Sequence, residues 1–158
     1  MRRPAEERRR GAAVPSGESP GELHARILLV DDDRVDREAV RRLLARVPGR
    51  VEVAEADGVL SAIEVLTGGQ HDCVVLDYNL PDGDGLTFLR GLRAAGIHVP
   101  VVMLTGQDDV QVAQELVLAG AACYIPKAGL TPELLLRCIA EAIGTRPREA
   151  PDTAPAPA

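Results

Sequence analysis

Four short apolar runs, at 27–30 (ILLV), 73–76 (CVVL), 101–104 (VVML) and 122–125 (ACYI), each stop at a polar residue or at a proline followed by one. Near-continuous apolar runs of this length, bounded by turn residues, read as strands buried on both faces. Amphipathic stretches of helical spacing fill the gaps between them. Apolar residues make up 46% of the chain but aromatics only 2%, so the core must be built from Leu, Val, Ile and Ala. Such side chains suit a parallel sheet covered by helices on both sides.

In chain order, the first strand is expected at 26–30 and ends in Asp31-Asp32-Asp33. A helix follows, with Val40, Leu43, Leu44 and Val47 on one face, stopped by Pro48-Gly49. Residues 51–55 alternate, as a half-exposed edge strand does. Asp57 is expected to cap the second helix, with Leu60, Ile63 and Leu66 at its helical spacing and Gly68-Gly69 at its end. The third strand carries Asp77 at its tip and runs into a Pro-Asp-Gly turn, after which Leu86, Leu89 and Leu92 mark a third helix. The fourth strand ends in Thr105-Gly106. Asp108 or Asp109 then opens a helix with Ala113, Leu116 and Val117 inward and Gly120 at its end. The fifth strand runs into Pro126-Lys127. Thr131-Pro132 opens the last helix, whose inner face is Leu135, Cys138, Ile139 and Ala142.

Strict strand–helix alternation implies a parallel sheet with right-handed crossovers. With the alternating second strand at an edge, the expected order is 2-1-3-4-5, a flavodoxin-like, doubly wound α/β fold. Its crevice opens between strands 1 and 3, at their carboxyl ends. The folded unit is expected over 25–143, between disordered tails at 1–24 and 144–158.

Net charge is −6, which argues against nucleic acid as the main partner. Of the 18 basic residues all but Lys127 are Arg, so this one lysine invites separate weighing. Cys73, Cys123 and Cys138 show no metal spacing and read as small buried hydrophobes. His24, His71 and His98 are scattered. The charged N-terminus, MRRPAEERRR, lacks the apolar region of a secretory signal, no stretch approaches the length of a membrane span, and a cytoplasmic location is expected.

Asp31, Asp32 and Asp77 would meet in the crevice. Three ionised carboxylates there repel one another unless a cation sits among them. Two acids, a backbone carbonyl and waters suit Mg²⁺, which leaves positions for phosphate oxygens. Asp77 is then placed to attack phosphorus and form an acyl phosphate. Lys127 would offset the charge on the transferred group, and Thr105 would donate its hydroxyl to the same oxygen. Each residue alone has an ordinary reading, as helix cap, turn residue or surface charge. Together, each at its own strand tip, they read as one site.

The segments 27–33 (ILLVDDD), 74–86 (VVLDYNLPDGDGL), 101–106 (VVMLTG) and 119–127 (AGAACYIPK) resemble the receiver domain of two-component response regulators, a CheY-like fold, over about 25–143. The resemblance implies that Asp77 is the phosphoacceptor, that Asp32 ligates Mg²⁺ directly and Asp31 mainly through water, and that the Asn79 carbonyl completes the protein ligands. It implies a switch pair in Thr105 and Tyr124, and a phosphoryl-binding role for Lys127. Asp33 falls one position beyond the acidic pair and reads as a helix cap. The family usually has proline after this lysine; here Ala128 follows. The 15 residues beyond Ile143 are too few for a DNA-binding or catalytic output module, so a stand-alone receiver is expected. It would be phosphorylated by a sensor histidine kinase and would signal to a downstream protein through the face of helix 4, strand 5 and helix 5. It would be no enzyme beyond its own phosphorylation and dephosphorylation. Asn79 and Gln107 are placed to tune the phosphoryl lifetime. The alternatives are a relay to a histidine phosphotransfer protein, an interaction module that has lost phosphorylation, and a phosphatase of the haloacid-dehalogenase type. The last would need a second acid where Asn79 stands.

Overall fold

The computed structural model describes residues 21–106 and 110–144. Five parallel strands, β1 (Leu23–Val30), β2 (Gly49–Ala56), β3 (Cys73–Asp77), β4 (Val101–Thr105) and β5 (Cys123–Pro126), pair in the order β2-β1-β3-β4-β5. The helices are α1 (Arg34–Ala45), α2 (Val59–Gly68), α3 (Gly85–Ala94), α4 (Val110–Leu118) and α5 (Pro132–Gly144). This is the expected doubly wound sheet, with the alternating strand at the edge.

Side chains alternate across a pleated strand, so each buried strand feeds two cores. Ile27, Leu29, Val75, Val102 and Leu104 pack on one face with Val40 and Leu44 of α1 and Leu135, Cys138 and Ile139 of α5. Leu28, Val30, Val74, Leu76, Val101 and Met103 pack on the other with Ala62 of α2, Leu86, Leu89 and Leu92 of α3, and Leu116 of α4. Cys123 of β5 and Cys138 of α5 are free thiols that face each other, their sulfurs 2.6 Å apart. No described helix is long and apolar enough to cross a membrane.

Several local expectations change. Leu23 and His24, placed in the tail, open β1, and the Leu23 amide donates to the Pro48 carbonyl at 2.8 Å. Gly144, also placed in a tail, is the last residue of α5. Asp57 does not cap α2. Its carboxylate accepts from the Ser61 hydroxyl, while Asp82, across the chain, accepts the amides of Val59 and Leu60 at 2.9 and 3.2 Å. A Cβ on Gly58 would lie 2.9 Å from the Asp82 carboxylate, so glycine leaves room for that cap. Leu60 is 71% exposed and Ile63 is also exposed; the inward face of α2 is Val59, Ala62, Val65 and Leu66. Val117 likewise faces outward. The expected start of α4 at Asp108 or Asp109 lies outside the described residues.

The Pro81-Asp82 turn closes a two-residue antiparallel ribbon, Asn79–Leu80 against Gly83–Asp84. The ribbon returns the chain so closely that Gly85 donates to the Tyr78 carbonyl at 2.6 Å. A Cβ on Gly85 would stand 2.9 Å from both the Asp77 carbonyl and the Met103 sulfur. Gly85→Ala is therefore expected to cost about 1–3 kcal/mol, read by urea denaturation, because rigid backbone must shift. On α2, Leu60→Ala is expected to stay within about 0.5 kcal/mol of the parent. Ala62→Leu, overpacking a fully buried site, should lose roughly 1–3 kcal/mol. The opposite ranking would contradict the observed face.

Candidate metal and phosphoryl site

The carboxyl ends of β1, β3 and β4 and the start of the turn after β5 meet at one edge of the sheet. β1 delivers Asp31 and Asp32. The pairing continues past the strand, since the Asp31 amide donates to Ala56 of β2 at 3.1 Å. Asp33 then caps α1, accepting from the amides of Val35 and Asp36 at 2.8 and 3.1 Å, as expected. This cap fixes where the acidic run ends and the helix starts.

Asp31 is fully buried and held on three sides. Its Oδ1 accepts from the Asp33 amide at 2.9 Å, its Oδ2 from Lys127 at 3.2 Å, and its carbonyl from Arg37 Nη1 at 2.7 Å. Arg37 is itself paired with Glu55 of β2 at 2.8 Å. Asp32 is exposed at the mouth. Asp77 is buried at the tip of β3, and its carboxylate accepts from the Asn79 amide. One oxygen from each of Asp31, Asp32 and Asp77 can lie within 4.8 Å of the other two. Hard oxygen donors gathered this closely match what Mg²⁺ takes.

Lys127 follows β5 as the first residue of a short 3₁₀ turn, Lys127–Gly129. Its Nζ lies 2.8 Å from Asp36 Oδ2, 3.2 Å from Asp31 Oδ2 and 3.3 Å from Asp77 Oδ1. Thr105 is buried at the tip of β4, in register with Pro126. Tyr124 is half-buried on β5 and packs against the α2–α3–α4 core. Gln107 lies outside the described residues. Every described peptide bond is trans, including the one between Lys127 and Ala128. His24, His71 and His98 precede or open strands and so belong to the opposite edge.

Burial pushes the Asp77 carboxyl up to about 6. The Asp31 charge adds to the push, and Lys127 works against it. For Lys127, burial disfavours the ammonium, but the bond to Asp36 and the charges of Asp77 and Asp31 outweigh it. Its pKa is held above the ordinary lysine value. The site thus carries more negative charge than one lysine balances, which is the condition that favours a bound cation.

Two residues at the site are new. Asp36 reads in the sequence as a helpful acid in the first turn of α1, which hides that it reaches Lys127. Arg37 reads as surface charge; its spacing from Asp31 was the available signal.

Residues 27–139 match the profile of the response regulator receiver domain family. Response regulator MprA of Mycobacterium sp. (strain KMS) is 42% identical over 131 residues, covering 83% of this chain and 56% of that protein. MprA of Mycobacterium tuberculosis (strain H37Rv) is 39% identical over the same length. The chain therefore spans about half the length of the curated relatives it matches. Among solved structures, a LuxR-family two-component response regulator from Aurantimonas sp. SI85-9A1 superposes with a TM-score of 0.71 at 32% identity, over 78% of this chain and 88% of that one. A receiver domain protein from Clostridium thermocellum gives 0.69 at 27% identity, over 77% and 96%. With the sheet order, the acidic crevice and the lysine after β5 all in place, the chain belongs to the response regulator receiver domain family.

Proposed function

We propose that Asp77 accepts a phosphoryl group from the phosphohistidine of a sensor histidine kinase, in a Mg²⁺-dependent reaction in the cytoplasm. The phosphorylated chain then signals to a protein target through the face of α4, β5 and α5. The observation that carries this reading is the 3.3 Å approach of the Lys127 ammonium to a buried Asp77 that shares its crevice with two further acids.

A carboxylate oxygen of Asp77 attacks phosphorus while the P–N bond to the kinase histidine breaks. The electron pair leaves with the imidazole, and Asp77 becomes an acyl phosphate. Lys127, already facing Asp77, supplies an ammonium to a phosphoryl oxygen, and the Thr105 hydroxyl donates to another. Engaging Thr105 is the step proposed to bias Tyr124 on β5, and with it the signalling face. Receiver domains bind Mg²⁺ at an acidic pocket, and this chain carries the corresponding cluster. Asp32, Asp77 and the Asn79 carbonyl would hold the ion directly and Asp31 through water; bound there, it would offset the charge building on the transferred group. Asn79 and Gln107 are assigned to tuning hydrolysis of the acyl phosphate.

Incubation with acetyl phosphate and Mg²⁺ should add one phosphoryl group, seen by intact mass. Asp77→Ala should remove the addition, and Lys127→Ala should slow it roughly 100-fold. Labelling that persists in Asp77→Ala, or none in the parent with any phosphodonor or kinase, would sink the assignment. The burial of Asp77, reinforced by the Asp31 charge, makes a second prediction. Its folded-state pKa lies above the unfolded value, so the folded chain binds more protons between about pH 4 and 6. Without metal, this group's contribution to stability falls as pH rises through that window. Asp77→Asn is thus expected to stabilise the metal-free protein by roughly 1–2 kcal/mol at pH 8. Millimolar Mg²⁺ should raise the parent's Tm at pH 8 and much less at pH 5. An equal rise at both pH values would place the ion elsewhere.

A further inference from the structure

The shortest bond of Lys127 in the crevice is to neither Asp31 nor Asp77. It is to Asp36, at 2.8 Å, on the first turn of α1. Asp36 lies outside the trio that could share a cation, and its side chain is 44% exposed, at the rim of the site. Lys127 is thus drawn outward by one carboxylate and inward by two. An ammonium has three donors; hydrogen bonds to Asp36 and Asp31 take two of them, and Asp77 stands 3.3 Å away as an ion pair. Any phosphoryl oxygen arriving on Asp77 must compete for a donor already committed.

We infer that Asp36 is a positioning residue that latches Lys127 at the rim of the resting site and competes with the phosphoryl group for its ammonium. This deepens the phosphoacceptor reading and rests on it. Asp36 also adds a negative charge beside the path of an anionic phosphodonor. Both effects oppose phosphorylation, so the latch raises the threshold for it. The packing supports a local role. Asp36 follows the Asp33 cap, whose carboxylate holds the Asp36 amide at 3.1 Å, so the latch is fixed to the same turn that places Asp31.

Lys127 is the only lysine in the chain, so lysine-selective isotope labelling gives one side-chain NMR signal and reports on this residue alone. In the metal-free protein, Asp36→Asn should shift that signal, and the exposed α1 variant Glu38→Gln should leave it in place. Beryllofluoride, a tetrahedral stand-in for the phosphoryl group, is then titrated with Mg²⁺ present. Asp36→Asn should bind it about tenfold more tightly than the parent, the range of one charge-assisted bond. The rate of labelling by acetyl phosphate should rise by a similar factor, about tenfold. Asp36→Glu, which keeps the charge, should return toward parental affinity. Unchanged or weaker binding by Asp36→Asn, in a parent that does bind beryllofluoride, overturns the latch alone. Equal tightening by Glu38→Gln also overturns it, since the effect would be general surface charge. A parent that binds no beryllofluoride and takes no phosphoryl group overturns the latch and the Asp77 reading together.

Discussion

A single ammonium set among carboxylates holds the carboxyl edge of this sheet in order. Asp31 and Asp77 are both buried, and taking a charged carboxylate out of water is costly unless it is paired. Lys127 lies within 3.3 Å of each and lowers that cost. It does not cancel it, because Asp36 takes a share of the same charge and Asp32 adds another acid at the mouth. The remaining surplus leaves room for a cation and for a reaction that moves negative charge.

The scaffold makes such a site tolerable. Strands buried on both faces fix where their tips end, and two well-filled cores clamp the sheet from either side. The polar connections are then tied to those tips one by one. Asp33 caps α1, Arg37 holds the Asp31 carbonyl, and Gly85 brings α3 back against Tyr78. Asp82 reaches from the ribbon after β3 to the start of α2, so the loop carrying Asn79 is anchored at its far side. Asp77 and Thr105 sit on rigid strands, while Asp31, Asp32 and Lys127 stand in the turns that directly follow theirs.

Much of this was legible in the residues. Period and composition gave the strands, because an apolar run between turn signals has few other uses. The edge position of β2 followed from its alternation. Asp31, Asp32, Asp77, Thr105 and Lys127 were all legible because each directly follows or ends a strand, and parallel topology gathers such positions at one edge. Helix faces were less secure. Leu60, Ile63 and Val117 fit an inward spacing, yet they point outward. In a short helix rich in apolar residues more than one face satisfies the period, and only the neighbouring elements choose between them.

What the sequence determined by itself is therefore the order of the strands and the set of groups at their tips, since both follow from local pattern and connection rules. Tertiary structure alone decided the partnerships between distant segments. Asp82 caps a helix 23 residues before it, and Asp36 bonds a lysine 91 residues after it. No periodicity encodes such pairs. They depend on the angle at which each helix meets the sheet, which is set by how the side chains of both cores fill the space between them.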